Sequence, residues 1–99
     1  MKPHGFHREA NAEYAAASEY DARISPELGG RFYDEIERLI AEACAHPRMY
    51  RRVRGEVRRH FTAAFPYGIL FEDCPAEVRI LAVIGLHQDP DYWLHRLAD

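Results

Sequence analysis

Cysteine is scarce: Cys44 and Cys74 are the only two in 99 residues. Two thiols make no disulfide framework, and free thiols in a reducing cytoplasm are expected. Long apolar runs are missing as well, and none approaches the ~18 residues a membrane span needs. Met1-Lys2-Pro3-His4-Gly5 has no apolar core behind it, so no signal peptide is expected. There are no repeats, linkers or low-complexity tracts. No phosphate-cradling glycine loop, dinucleotide fingerprint, nucleophile elbow or zinc signature occurs, so no cofactor or metal is expected. A basic excess is absent too. The net charge is -3, which argues against general affinity for nucleic acid.

What remains is ordinary globular composition, 47% hydrophobic and 29% charged. One domain over residues 1–99 is expected, burying roughly 60–70% of its unfolded surface. The charge is uneven along it. Arg48, Arg51, Arg52, Arg54, Arg58 and Arg59 face only Glu56 between positions 48 and 60, whereas acids outnumber bases on both flanks.

The hydrophobic rhythm changes near the middle of the chain. Residues 3–7 make a weak candidate strand. Arg8 to Arg23 reads as a helix, with Ala10, Tyr14 and Ala17 on one face. Ser25-Pro26 starts a second helix, serine as cap and proline at the first position. Leu28, Phe32, Ile36, Leu39, Ile40 and Ala43 form its stripe, and Pro47 ends it near His46. The short link predicts an antiparallel helical hairpin.

Beyond it the period is two. Tyr50 to Arg54 predicts a strand, Gly55-Glu56 a turn, and Val57 to Phe65 a second strand. Phe65 to Gly68 is a return, Ile69 to Glu72 a third strand, and residues 73–77 another turn. Val78, Ile80, Ala82 and Ile84 are expected on one face of the last strand, with Leu81 and Val83 on the other. Asp89 is expected to cap a short final helix, with Pro90 first and Trp93, Leu94 and Leu97 on one side. The fold class is therefore α+β: an N-terminal helical hairpin packed on an antiparallel meander, with a short C-terminal helix.

Arginine's planar fork reads phosphate and carboxylate bidentately. Arg51, Arg52, Arg54, Arg58 and Arg59 on adjoining strands predict one compact patch for RNA phosphates or an acidic protein segment. The alternative is a solvated edge whose charges deter aggregation. His4 and His7 have a spacing that suits a metal, but nothing nearby completes a site. His60 reads as structural. His87, after a buried strand and before a turn, is placed to act as a general acid or base. Tyr92-Trp93 reads as a core closure or as a partner anchor.

The segments Val57-Arg58-Arg59, Phe65-Pro66-Tyr67-Gly68-Ile69-Leu70-Phe71, Val78-Arg79-Ile80-Leu81-Ala82-Val83, His87 and Asp89-Pro90-Asp91-Tyr92-Trp93 carry a further reading. In that order they resemble the RelE/ParE superfamily of type II toxins, closest to the ParE-like, plasmid stabilization branch. Phe6-His7-Arg8-Glu9-Ala10 and Ser25-Pro26-Glu27-Leu28-Gly29-Gly30-Arg31-Phe32 are similar to its helical hairpin.

The resemblance implies a cytoplasmic bacterial toxin neutralised by a cognate antitoxin, with no membrane association. An antitoxin helix would use a groove beside Leu28, Phe32 and Ile36. Arg51, Arg52, Arg54, Arg58, Tyr92 and Trp93 would meet the target or the antitoxin. One branch of the superfamily cleaves mRNA on the ribosome; the other inhibits DNA gyrase. The nuclease branch places an arginine after the tyrosine that opens the strand following the return, and a basic residue at the end of the last strand. Here Gly68 follows Tyr67, and Leu86-His87-Gln88 closes the last strand. RNA cleavage needs charge stabilisation at the phosphate and a proton acceptor for the 2′-hydroxyl. Arg59, Arg79, His87 and Tyr92 are the residues that could supply them. Gyrase binding is the expectation; a ribosome-dependent mRNA endonuclease and a non-toxic toxin-like binding module are the alternatives.

Overall fold

One serine sets the geometry of the first half. In the computed structural model, which describes residues 1–98, α1 spans Arg8–Ile24 and α2 spans Pro26–Ala45. Ser25 alone separates them. Its N–H donates to the Asp21 carbonyl at 3.1 Å, ending α1, and its Oγ accepts from the Leu28 N–H at 3.0 Å, opening α2. So tight a link folds the helices back on one another. Gly29 lets them meet, since a Cβ there would lie 2.9 Å from Ala22 Cα. The glycine that weakens the first turn of α2 is thus its contact point with α1. His7 caps α1, its Nδ1 accepting from the Glu9 N–H at 3.0 Å.

The five strands are β1 (His4–Phe6), β2 (Arg52–Arg54), β3 (Val57–Phe61), β4 (Tyr67–Asp73) and β5 (Val78–Gly85). Their order in the sheet is β1-β5-β4-β3-β2. From β2 to β5 every pair is antiparallel, and β1 adds a parallel edge to β5. The chain is α+β, with the hairpin on one face of a mixed sheet. The weak first strand forms because β5 holds it. The Val78 N–H donates to the Pro3 carbonyl and the His7 N–H to the Ile80 carbonyl, both at 2.9 Å.

Two strands are shorter than the alternation suggests. β3 ends at Phe61 because Thr62 turns the chain: its Oγ1 accepts from the Ala64 N–H at 3.1 Å and donates to Glu35 Oε2 at 2.6 Å. β2 starts only at Arg52, because Pro47–Met49 forms a 3-10 turn and the Tyr50 ring stacks on His60 at 4.1 Å.

A bulge corrects the expected face assignment of β5. Leu70 pairs with Ala82 and Phe71 with Ile80, so Leu81 is an extra residue. Strand parity therefore flips there. Val78, Ile80 and Val83 pack toward the helices with Ile69, Phe71, Phe32, Ile36 and Leu39. Leu81, Ala82 and Ile84 turn to the opposite face with Val57, Leu70 and Trp93.

Phe32 and Ile36 are each 0% exposed, so they form the core under α2 rather than a groove open to a partner helix. Leu28 alone of that predicted trio is half-buried. The final helix also differs. Asp89 Oδ1 accepts from the Asp91 N–H at 2.9 Å, which makes a turn, and only a 3-10 segment, Leu94–Ala98, follows. Leu97 stays exposed.

Candidate functional site

The helices cover one face of the sheet and leave the other to the segment after β5. There Trp93, 1% exposed, is laid over Val57, Leu70, Leu81, Ala82 and Ile84. Its indole N–H donates to the Pro90 carbonyl at 2.5 Å. Between this segment and β2–β3 lies a cleft of about 150 Å³. Phe61, Leu70, Ile84 and Trp93 give it an apolar floor, and the exposed Arg54 and Arg59 stand at its rim. Asp91 also lines it, 3.8 Å from Arg54. The Arg59 guanidinium lies 5.7 Å from the Phe61 ring centroid. Among the described residues it has no carboxylate partner.

Strand alternation divides the arginines that the sequence suggests as one patch. Arg59 shares the cleft face with Val57 and Phe61, whereas Arg58 lies on the helix side with His60. Arg58 Nη1 donates to the Tyr50 carbonyl at 2.8 Å, which fastens the chain leading into β2. Arg52 pairs with Glu56 of its own turn at 3.3 Å. Arg51 is exposed beside them, its carbonyl accepting from the Arg59 N–H at 3.0 Å. The compact patch thus reduces at the cleft to Arg54 and Arg59.

Arg59, Arg79, His87 and Tyr92 are not brought together. Arg79 lies 4.0 Å from Glu72 and is half-buried. His87 is exposed in the turn beyond the far end of β5. At about 3.4 Å per residue, the strand from Arg79 to Gly85 alone spans on the order of 20 Å. Tyr92 donates its hydroxyl to Glu13 Oε2, on α1. Burial, and then that bond, push its pKa far above the usual range. Trp93, a candidate partner contact by sequence, is core at 1% exposed and reaches the outside only as part of the cleft floor.

Gly68 shows why the arginine of the nuclease pattern has no place here. A Cβ on Gly68 would fall 2.4 Å from the Phe61 ring and 2.9 Å from the His60 carbonyl. The ring occupies the space above the glycine and helps floor the cleft. Gly68→Ala is expected to cost about 1–3 kcal/mol through overpacking. Urea unfolding checks this, and an unchanged midpoint would contradict the packing.

Sequence reasoning misses two polar clusters: the first joins partners remote in the chain, and the second adds His60 and Thr62 to a local set on α2. In the first, Arg96, 3% exposed, donates to both Glu13 oxygens and to the Leu81 carbonyl, each at 2.8 Å. Glu13 Oε1 also accepts from the Val83 N–H at 3.1 Å. The pair thereby satisfies the backbone groups of β5 that lie past the short β1. His95 Nε2 adds a 3.0 Å bond to Glu9, which lowers the Glu9 pKa. The only local hint is Glu9 and Glu13 at i, i+4 on α1.

In the second cluster, Arg38 bridges Glu35 at 2.8 Å and Glu42 at 3.0 Å, while His60 Nε2 lies 2.7 Å from Glu42. The Arg38 bond, then the Thr62 hydroxyl, hold the Glu35 carboxyl down at about 2. Unfolded, Glu35 would titrate near 4.5. Its contribution to stability is thus fully present above pH 4.5 and lost as pH falls toward 2. Urea midpoints measured across that window should fall less in Glu35→Gln than in the parent chain. Parallel curves would contradict the linkage.

Cys44 is buried and Cys74 half-buried, and burial raises both thiol pKa values. Among the described residues, no group of three or more His, Cys, Asp or Glu side chains is placed to hold a metal ion. No described helix is long and apolar enough to cross a membrane. No protein-family model matches the chain, and no curated protein matches it closely enough to count as a relative.

Proposed function

We propose that the chain is the toxin of a type II toxin–antitoxin pair, of the ParE-like kind. It acts in the bacterial cytoplasm by binding a protein target, DNA gyrase, and a cognate antitoxin neutralises it. The segments running from Val57 to Trp93 support the family reading through their resemblance to that superfamily. One observation favours binding over RNA cleavage. The four residues that nuclease chemistry would need are spread over β3, β5, the turn after β5 and the C-terminal segment, whereas Arg54 and Arg59 converge on an apolar cleft. General acid–base work requires its groups within hydrogen-bond reach of one reacting atom.

Induction in a bacterial host tests the reading. Growth should stop, and co-expression of the neighbouring open reading frame should restore it. Unchanged growth would instead favour a toxin-like binding module without toxicity. Primer extension on translated mRNA separates the remaining rival. Cuts in the ribosomal A site that vanish in an Arg79→Ala/His87→Ala double variant would replace gyrase binding by mRNA cleavage.

A further inference from the structure

The cleft opposite the helices has two chemistries side by side. Its floor is apolar, made by Phe61, Leu70, Ile84 and Trp93, and its rim carries two guanidiniums, Arg54 and Arg59. At about 150 Å³ it has room for one aliphatic or aromatic side chain; an apolar cavity of that size takes up benzene. Arg54 has only a long, exposed 3.8 Å pairing with Asp91, and Arg59 has an aromatic ring but no carboxylate among the described residues. A ligand that satisfies the site must therefore bring an apolar body and a separate negative charge.

We propose that the cleft binds an acidic segment of a partner protein. One leucine or phenylalanine of that segment sits on the floor, and a carboxylate on its same face pairs with Arg59 and Arg54. In an extended segment such residues are two apart, because alternate side chains share a face. Charge complementarity selects this occupant over RNA. A polyanionic backbone would carry its repeated charge past Asp91 on one wall and against an overall charge of -3, whereas a single carboxylate need meet only the two guanidiniums. The proposal names the partner chemistry of the toxin reading and rests on it for the partner's being a protein.

The chain has one tryptophan, Trp93, and it lines the cleft, so its emission reports occupancy directly. The probe is the peptide acetyl-Glu-Ala-Leu-Ala-Glu-amide titrated into the full chain. Submillimolar binding with a shift in Trp93 emission is expected. Replacing the peptide's leucine by alanine, its glutamates by glutamine, or Arg59 by glutamine (Arg59→Gln) should each weaken binding about tenfold. Unfolding midpoints establish that the exposed-site variant is folded. The proposal is overturned by no binding at millimolar peptide, or by binding indifferent to Arg59→Gln. It is also overturned if a short oligoadenylate competes more tightly than the peptide, which assigns a nucleotide site. Concentration-dependent dimerisation abolished by Arg59→Gln would assign a second copy of the chain and overturn it too. Growth arrest by a chain that leaves the peptide unbound removes the cleft proposal alone. Peptide binding without growth arrest removes the toxin reading and leaves the cleft in place.

Discussion

Arg96→Met is expected to destabilise the fold by about 3–5 kcal/mol, the usual cost of removing one partner from a buried ion pair. The arginine is 3% exposed and holds both oxygens of Glu13 and the Leu81 carbonyl. Without it, the Glu13 carboxyl group is left beside Tyr92 and the edge of β5 with most of its surface out of water. A chain of this size has a total stability of only about 5–15 kcal/mol, so the loss is a large share of it. The double variant Glu13→Leu/Arg96→Met should regain part of the loss, because no unpaired charge remains. It should not regain all of it, since the Leu81 carbonyl and the Val83 N–H lose their partners. Chemical unfolding of the parent, the single and the double variant checks this. A loss below about 1 kcal/mol for Arg96→Met would mean that the cluster is solvated and contributes little.

Trp93→Ala is expected to cost a similar amount, about 3–5 kcal/mol, as large-to-small core substitutions do. Trp93 is the largest fully buried side chain and joins Val57, Leu70, Leu81 and Ile84 into the second core. Its removal takes away both that packing and the floor of the cleft. An exposed partner anchor would behave differently: truncation would leave stability nearly unchanged and affect only binding. Thermal unfolding separates the two, and a melting temperature within a degree or two of the parent would return Trp93 to the surface.

Much of the fold is legible in the sequence because its signals are local. Ser25-Pro26 and Pro47 mark the limits of α2, and Gly55 and the Pro66–Gly68 return separate the strands. The parity of β5 is not legible. The alternation of Val78, Ile80, Ala82 and Ile84 looks unbroken, and only pairing with β4 reveals that Leu81 is extra. Phe32 and Ile36 look like a partner-facing stripe for a related reason: a stripe says that a face is buried, not what buries it, and here the sheet does. At the cleft, Arg54 and Arg59 stand out as members of a basic run, but the run cannot tell which guanidiniums share a face. Phe61, Leu70 and Ile84 come from three different strands and Trp93 from the segment after β5, so their convergence has no local signature. Glu13 and Arg96 are hidden for the same reason, as they meet only once β5 and the C-terminal segment are in place.

We propose that growth arrest runs through gyrase bound at the Arg54–Arg59 cleft. Gyrase supercoiling of relaxed plasmid, with the purified chain and a folded Arg54→Gln/Arg59→Gln variant compared side by side, tests it most directly. The parent chain should block supercoiling, and the double variant should need about a hundredfold higher concentration to do so. Supercoiling untouched by saturating parent chain, or blocked equally well by the variant, would contradict it.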